Sequence, residues 1–331
     1  MGNRISSHVT PLCAGKKRHE KKVSIVGCGQ VGLATAYSIL NQELCDHLIL
    51  IDVNATKLYG EVKDFQQASA FARRFCTVQG STDYDLTKDS DLVIVTAGAK
   101  QRPGQSRLDL LSINVKIMKS ILNEVVKYSP NAPICIVSNP CDVITAIANK
   151  IAKNLSPGQV FGSGTVLDTG RFRQMLASHY DFNIEDLSGY VIGEHGDSSL
   201  VVWSSVKNGG FHVLKPGQEP GDEENSIHTE VVQAAGDVIE KKGYTNWAVG
   251  MACAEITKAV LNNSNCTLPV STSVKGYAGV GEEVFLSVPC VVGSSGVKRC
   301  AELDLTENEK KLFQKSASTV WAAQKDIWDS I

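Results

Sequence analysis

In the segment Val23-Ser24-Ile25-Val26-Gly27-Cys28-Gly29-Gln30-Val31-Gly32, a short apolar run is followed by three closely spaced glycines. These glycines fit G-x-G-x-x-G, a weak pattern alone that gains meaning where a strand precedes it and a helix follows. Gly27 permits a tight turn, Gly29 lets the backbone approach a pyrophosphate, and Gly32 lets the helix pack closely on the sheet. The stretch therefore predicts a dinucleotide site in which the phosphates face a positive helix N-terminus.

An aspartate at the end of the next apolar run indicates which dinucleotide binds. Asp52 follows Leu48-Ile49-Leu50-Ile51 and stands twenty residues after Gly32. A carboxylate at this place accepts hydrogen bonds from the adenine ribose and repels the additional phosphate of NADP. We therefore predict NAD as the cofactor. The alternative is an ordinary glycine turn with a capping aspartate.

Strands and helices alternate through the first half of the chain. We predict helices at 31–41 and 55–70 and further strands at 76–79, 92–96 and 134–138. A long helix between the last two strands presents one apolar stripe: Leu111, Val115, Met118, Leu122 and Val125. Short, continuously apolar strands separated by helices are typical of a parallel sheet covered on both faces.

The second half has a different pattern. Helices are predicted at 165–180, 226–241, 245–262 and 306–328, with apolar strand-like runs at 266–274 and 284–292. The predicted fold is thus of the α/β class, with a doubly wound parallel sheet followed by an α+β catalytic domain. We divide the chain into a basic tail (1–21), a dinucleotide-binding domain (22–163) and a catalytic domain (164–331).

Composition narrows the classes of function. The 331 residues carry a formal net charge of −2, which argues against a nucleic-acid partner for the body of the protein. No run approaches the roughly 20 apolar residues of a membrane-spanning helix, and we expect no secretory signal peptide. The ten cysteines contain no C-x-x-C pair and no zinc-ligand spacing, so we predict buried free thiols in a reducing, cytoplasmic environment and no metal.

The segment Gly193-Glu194-His195-Gly196-Asp197-Ser198 supplies the candidate for proton transfer. A histidine between glycines is a poor core residue, and histidine is the usual proton carrier between a carbonyl and an alcohol. Asp168 and Arg171 stand three residues apart, on one face of a predicted helix. The carboxylate could orient the imidazole and the guanidinium could bind a substrate carboxylate. A surface salt bridge is the alternative for this pair.

A glycine-rich, charged segment at residues 96–107 follows a predicted strand. A loop at the carboxyl edge of a parallel sheet is well placed to act as a lid over a bound ligand. The alternative is a solvated connection.

Taken together, these motifs resemble the L-lactate/malate dehydrogenases over about residues 22–328. The combination comprises GxGxxG, TAGAxQxxGxSR, VSNPxD, LDxxRFR, GEHGDSS and KGYTxWA. The resemblance implies a Rossmann-type NAD domain and a mixed catalytic domain. It also implies reversible hydride transfer between NADH and pyruvate, which gives (S)-lactate and NAD⁺.

The resemblance also implies roles for individual residues. His195 is the expected acid/base, Asp168 its orienting partner, and Arg107 the residue that polarises the carbonyl. The expected substrate contacts are Arg171, Asn139, Gln101, Thr245 and Arg107. The expected cofactor contacts are Gly27, Gly29, Gln30, Val31, Gly32, Asp52, Thr96, Ala97, Gly98, Lys100, Asn114, Val137 and Asn139.

Gln101 is the residue on which substrate choice depends most. In malate dehydrogenases the matching position is an arginine that pairs with a second carboxylate, whereas a neutral glutamine suits the methyl group of pyruvate. Arg102 leaves an alternative open, because a shift of the loop by one residue would bring its charge toward the substrate. We therefore keep a malate or broader 2-hydroxyacid dehydrogenase as one alternative. A non-catalytic NAD-binding or membrane-tethered structural protein is another.

Three features depart from the resemblance. Gln67 replaces a histidine of the animal enzymes. Ser188 stands where enzymes activated by fructose 1,6-bisphosphate have a histidine, and although Arg173 remains we expect no such activation. The N-terminal tail does not resemble the arm that joins subunits in vertebrate enzymes, so a homo-oligomer is expected as a tetramer or a dimer.

The tail itself carries a modification pattern. Met1-Gly2-Asn3-Arg4-Ile5-Ser6 fits the N-myristoylation pattern, and the first 22 residues hold six basic residues and one acidic residue. One myristoyl chain binds membranes only marginally, and nearby basic residues could supply the second signal. Lipidation of Gly2 with peripheral membrane association, a solvated basic tail, and a targeting peptide remain three interpretations.

Overall fold

The computed structural model describes residues 19–99 and 107–328, with side chains from residue 110 onward in the second range. Six parallel strands form the first half of the main sheet: β1 (Lys22–Val26), β2 (His47–Ile51), β3 (Thr77–Ser81), β4 (Leu92–Val95), β5 (Ile134–Ile136) and β6 (Val160–Gly162). Their spatial order is β6-β5-β4-β1-β2-β3. This is a doubly wound order, in which the direction of winding changes between β1 and β4, and the α/β prediction is confirmed.

Four helices connect these strands: α1 (Gln30–Asn41), α2 (Ala55–Ala68), α3 (Arg107–Tyr128) and α4 (Cys141–Ile151). The stripe predicted for α3 faces the core, since Leu111, Met118, Leu122 and Val125 are buried and Val115 packs against them. The sequence pattern did not predict α4 or β6. Helix α4 has only 11 residues, and its N-cap residue, Pro140, makes no side-chain capping hydrogen bond, so no helix-start signal marked it in the sequence.

The second half begins with α5 (Val166–Tyr180). Short strands follow: β7 (Leu187–Ser188), β8 (Val191–Ile192), β9 (Leu200–Val201), β10 (Lys207–Asn208) and β11 (Phe211–His212). The remaining elements are α6 (Asp222–Lys242), α7 (Trp247–Leu261), β12 (Cys266–Ser273), β13 (Phe285–Gly293), β14 (Gly296–Cys300) and α8 (Glu307–Trp328). None of the helices in the described ranges is long and apolar enough to cross a bilayer.

The main sheet continues from the first half of the chain into the second. Strand β12 pairs antiparallel with β6 through Ser271 and Gly162, and β13 and β14 then extend the sheet to nine strands. One apolar core therefore includes Ile134 of the first half and Val288 of the second. A smaller core around Phe172 and Trp203, whose rings meet edge to face at 5.3 Å, lies among α5, α6 and the short strands.

Several element boundaries differ from the predictions for local reasons. Helix α6 begins at Asp222 rather than 226, because Glu224 accepts a hydrogen bond from the Gly221 N–H and acidic residues stabilise a first helical turn. Strand β5 ends at Ile136, two residues earlier than predicted, and the Ser138 hydroxyl instead donates to the Ala97 carbonyl. Helix α7 begins two residues later than predicted, which leaves Thr245 outside it.

The cysteines follow the predicted pattern with two exceptions. The nine cysteines in the described ranges are all free thiols, and most of them are buried. Cys266, the first residue of β12, is half-buried, and Cys300, the last residue of the edge strand β14, is exposed.

The close contact between α1 and α7 can be tested with two mid-helix glycines. A Cβ at Gly250 of α7 would lie 2.7 Å from the Ala34 carbonyl carbon, whereas a Cβ at Gly60 of α2 would meet no atom within 4 Å. We expect Gly250→Ala to lower the free energy of unfolding by about 1–3 kcal/mol, since it overpacks two backbones. Gly60→Ala, the matched control, should raise the free energy of unfolding by roughly 0.5–1 kcal/mol, because alanine loses less conformational entropy than glycine when the helix forms. Denaturant unfolding measures both, and equal effects of the two substitutions would contradict this packing.

Candidate active site

The glycine loop after β1 leaves no room for side chains on its inner side. Gly27 has a φ of +98°, and a Cβ there would come within 2.6 Å of the Ala97 backbone nitrogen. A Cβ on Gly32 would lie 1.9 Å from the Gly27 carbonyl oxygen. The loop therefore depends on glycine at both positions, and α1 begins directly beyond it, as a pyrophosphate site requires.

Asp52 is held in place at the end of β2. Its Oδ2 accepts a hydrogen bond from the Cys28 N–H at 2.7 Å, and its Oδ1 accepts one from the Asn54 N–H at 2.9 Å. These bonds fasten the carboxylate to the glycine loop, so it faces the crevice at a fixed position. A ribose hydroxyl can donate to such a carboxylate, whereas a phosphate in its place would be repelled.

A cavity of about 1600 Å³ opens at the switch point between β1 and β4. Ten of the predicted cofactor contacts line it: Gly27, Gly29, Gln30, Val31, Gly32, Asp52, Thr96, Ala97, Gly98 and Asn139. Thr245, predicted to contact the substrate, lines the same cavity. The glycine loop, the fixed carboxylate and the position of the cavity fit a bound dinucleotide.

Two predicted cofactor contacts do not line this cavity. Asn114 is buried, and its Oδ1 accepts the Ala99 N–H at 2.8 Å while its amide donates to the Asn139 carbonyl. Val137 continues the sheet through a hydrogen bond from its N–H to the Val95 carbonyl. In this structure both residues support the segments that form the crevice.

Four predicted site residues cannot be placed. Gly2, Lys100 and Gln101 lie outside the described residues. Arg107 is the first residue of α3, but its side chain is also outside the described part of the structure.

A second cavity of about 610 Å³ adjoins the first, and His195 and Asn139 line both. Asp168 and Arg171 also line the second cavity. The structure thus brings together the histidine, the aspartate and the arginine that the sequence suggested from separate motifs.

Asp168 forms hydrogen bonds with both of its predicted neighbours. Its Oδ2 lies 2.6 Å from Nδ1 of His195, and its Oδ1 accepts a hydrogen bond from Nη1 of Arg171 at 3.0 Å. The side chains of all three residues are largely shielded, with exposed fractions of 24% for His195, 14% for Arg171 and 10% for Asp168. The Asp168–Arg171 contact is therefore part of the site and is not a salt bridge on the open surface.

The charges at this site shift the titration of both central groups. Burial alone would lower the pKa of His195, but the Asp168 carboxylate and, to a smaller extent, the charge of Asp142 outweigh burial and raise that pKa above its ordinary value. Burial alone would raise the pKa of Asp168, but His195 and Arg171 together hold it below its ordinary value. His195 is thus poised to carry a proton near neutral pH, beside an ionised aspartate.

Asp142 belongs to the motif VSNPxD, for which no role of the aspartate was predicted. Asp142 lies in the first turn of α4, directly after the cis peptide bond Asn139–Pro140, and its Oδ2 accepts the His195 N–H at 2.7 Å. The available signal was its place in the motif VSNPxD, which follows a predicted strand. Its contact with His195 depends on packing between segments 53 residues apart.

Two further expectations concern bound ions. The described side chains contain no group of three or more histidine, cysteine, aspartate or glutamate residues that could hold a metal. The resemblance implies that Arg173 corresponds to one residue of a sugar-bisphosphate site. In this structure Arg173 donates a hydrogen bond to the Gly189 carbonyl. Ser188, at the position of the missing histidine, is exposed on β7. The expected lack of activation by a sugar bisphosphate stays a prediction.

The electrostatic link between Asp168 and His195 can be tested by titration. Asp168→Asn removes the negative charge that opposes burial, so we expect the pKa of His195 to fall. NMR titration of the imidazole signals measures this pKa directly. His228 serves as the internal control, because burial lowers its pKa without a carboxylate partner. A His195 pKa that stays at the wild-type value would contradict the proposed link.

Comparison with known proteins relates both halves of the chain to the lactate/malate dehydrogenases. The family model described as lactate/malate dehydrogenase, NAD binding domain, matches residues 21–162, and the model for the lactate/malate dehydrogenase alpha/beta C-terminal domain matches residues 165–329. The L-lactate dehydrogenase B chain of Anguilla rostrata is 43% identical over 334 residues, which cover 99% of this chain and all of that protein. The A chain of Rhinogobiops nicholsii is 45% identical over 98% of both chains.

Two solved structures of lactate dehydrogenases have the same fold over more than 90% of this chain. The minor L-lactate dehydrogenase of Enterococcus mundtii superimposes with a TM-score of 0.88 at 35% identity, covering 93% of this chain and 98% of that one. A lactate dehydrogenase from a deep-sea metagenome gives a TM-score of 0.89 at 32% identity, covering 94% and 99%. With its glycine loop, its Asp168–His195 pair and these full-length matches, the chain belongs to the lactate/malate dehydrogenase family and has that family's NAD-binding domain.

Proposed function

We propose that this protein is an NAD-dependent L-lactate dehydrogenase, which transfers a hydride reversibly between NADH and pyruvate and gives (S)-lactate and NAD⁺. One observation carries the proposal. The hydrogen-bonded pair His195–Asp168 lies beside Arg171 in a cavity that adjoins the dinucleotide crevice. The site therefore places a proton donor and a carboxylate-binding cation next to the cofactor.

Residues of the first cavity would hold the cofactor. The glycine loop and the N-terminus of α1 face its phosphates, and Asp52 faces its ribose. NADH, when bound, supplies the hydride for reduction of the substrate carbonyl.

Arg171 is the residue that would bind the substrate carboxylate. A guanidinium has five N–H donors, and in the described structure only Nη1 is engaged with Asp168. The rest of the planar group is suited to a bidentate contact with a carboxylate. Its shielded position strengthens that contact relative to one in open water.

His195 would supply the proton. Because Nδ1 lies against the Asp168 carboxylate, we assign the fixed proton to Nδ1 and the exchanging proton to Nε2. Pyruvate reduction then requires protonated His195, and lactate oxidation requires the neutral form. The raised pKa of His195 favours the protonated form near neutral pH, and reduction should decline once the pH exceeds that pKa.

Two further residues of the proposed site, Arg107 and Gln101, are assigned from the sequence alone. Ala99 and Leu110, which precede and follow this segment in the sequence, line the first cavity. Arg107 would polarise the carbonyl, and the uncharged Gln101 would face the methyl group. The relatives compared above are named L-lactate dehydrogenases, which favours pyruvate over oxaloacetate.

Substrate choice is tested by measuring kcat/KM for NADH-dependent reduction of pyruvate and of oxaloacetate. We expect the wild-type protein to prefer pyruvate, and Gln101→Arg to move the preference toward oxaloacetate by about 10-fold or more, since an added ion pair with the second carboxylate contributes roughly 1.5–3 kcal/mol. Arg102→Gln is the matched control and should leave the preference for pyruvate in place. A wild-type preference for oxaloacetate that disappears in Arg102→Gln would mean that Arg102 reaches the substrate and that the malate alternative is correct. Absence of activity with either acid would favour a non-catalytic role.

We further propose that the protein is a cytoplasmic homo-oligomer. Phe71, Phe75 and Trp247 are large apolar side chains with more than half of their surface exposed, and burial of this surface by a partner subunit would be favourable. The presence of many free cysteines suits a reducing compartment.

Lipidation of Gly2 stays a prediction of the sequence. If the pattern is used, the protein purified from a eukaryotic host should carry a myristoyl group on Gly2 after removal of Met1. Mass spectrometry of the N-terminal peptide measures this, with Gly2→Ala as the control that cannot be modified. An unmodified Gly2 in the wild-type protein would leave the basic tail without a lipid anchor.

A further inference from the structure

Asp142 is a buried carboxylate that contacts the backbone of His195, whereas Asp168 contacts its ring. It stands in the first turn of α4 with an exposed fraction of 2%, two residues beyond Pro140, which lines both cavities. A carboxylate is expensive to bury unless hydrogen bonds and favourable charges replace its water. The burial of Asp142 therefore requires groups that stabilise its charge.

The two oxygens of Asp142 connect separate parts of the chain. Oδ2 accepts the His195 N–H at 2.7 Å, and Oδ1 accepts the hydroxyl proton of Ser271 at 2.6 Å. Ser271 is itself fully buried on β12, where it pairs with Gly162 of β6. One carboxylate thus joins the start of α4, the added strand β12 and the main chain of the proton-transfer residue.

We propose that Asp142 is a positioning residue, which fixes the main chain of His195 relative to Asn139 and to the substrate cavity. The inference rests on the proposed function of His195. Asp168 orients the imidazole ring through Nδ1, whereas Asp142 acts on the backbone, so the two carboxylates constrain the same residue at different points. A histidine held only by Asp168 could still tilt with its loop.

The charge of Asp142 also acts on this site. His195 faces Asp168 and Arg171 of α5 and Asp142 of α4, and Asp142 in turn faces His195 and Glu194. Burial raises the pKa of Asp142 to about 6, against the hydrogen bonds from Ser271 and His195, so the residue is mainly ionised at neutral pH. In that form it adds to the negative potential that favours the imidazolium.

Two substitutions separate position from charge. Asn at position 142 can still accept the His195 N–H through its carbonyl oxygen and can donate to Ser271, but it carries no charge. Ala keeps neither hydrogen bond and leaves the His195 N–H buried without this partner.

We expect Asp142→Ala to lower kcat/KM for pyruvate by about 100-fold, the usual scale for misplacing a catalytic group by an ångström. Asp142→Asn should lower it much less. In Asp142→Asn the decline of pyruvate reduction at high pH should move to lower pH, because loss of a negative charge lowers the pKa of His195. Asp142 also lines the first cavity, but the glycine loop and Asp52 are untouched, so the Kd for NADH, measured by fluorescence, should change much less than kcat/KM in both variants.

Glu309 provides a matched control for the burial of a carboxylate. It is buried at the start of α8, accepts the Ser204 and Thr306 N–H groups and the Ser204 hydroxyl, and lines neither cavity. Glu309→Ala should lower Tm, as Asp142→Ala does, but should leave both kcat/KM and its pH dependence at wild-type values.

The inference fails if Asp142→Ala keeps wild-type kcat/KM. It also fails if the pH profile of Asp142→Asn is unmoved while Asp142→Ala loses NADH binding, since Asp142 would then only support the fold. NMR titration of His195 separates this failure from failure of the proposed function. A wild-type protein that cannot reduce pyruvate contradicts the function, whereas an unchanged His195 pKa in Asp142→Asn contradicts the link between the two residues.

Discussion

The pairing of β12 with β6 is the constraint on which the site depends. The two strands meet at Ser271 and Gly162, and a Cβ on Gly162 would lie only 2.9 Å from the Ser271 Cβ and 2.5 Å from Thr145 Oγ1. Only glycine allows this approach, which attaches the second half of the chain to the edge of the parallel sheet. Because Ser271 also donates to Asp142, the contact that extends the sheet also reaches the segment of His195.

A second attachment fixes the same segment from the other side. Gly193 and Ser287 exchange two backbone hydrogen bonds of 2.9 Å, so the chain two residues before His195 is bound to β13. The histidine therefore stands on a segment held by strands of the added sheet, while Asn139 comes from the end of the parallel sheet. The proton donor and the cofactor crevice belong to different halves of the sequence, and the continuous sheet sets the distance between them.

The sequence predicted the general features of this arrangement and missed particular elements. The stripe of α3 was readable because its apolar side contrasts with a polar one, and the buried strands were readable because each is a short, continuously apolar run. Helix α4 was missed because it is short and its N-cap residue, Pro140, gives no capping signal, and β6 was missed because only two of its residues, Val160 and Phe161, are apolar. The beginning of α6 was placed too late because a side-chain contact between Glu224 and the Gly221 N–H, rather than an apolar period, sets it.

What the sequence alone determined is the chemistry: the glycine loop, Asp52, and the set His195, Asp168 and Arg171 follow from residue type and local spacing. These features are short-range, and short-range patterns can be read along a chain. The sequence predicted Asp168 as the partner of the His195 ring, but only the tertiary structure showed that Asp142 holds the His195 backbone as well. Contacts between residues 27 and 53 positions apart leave no periodic trace in a sequence, because only the packed sheet and helices bring them within hydrogen-bonding distance.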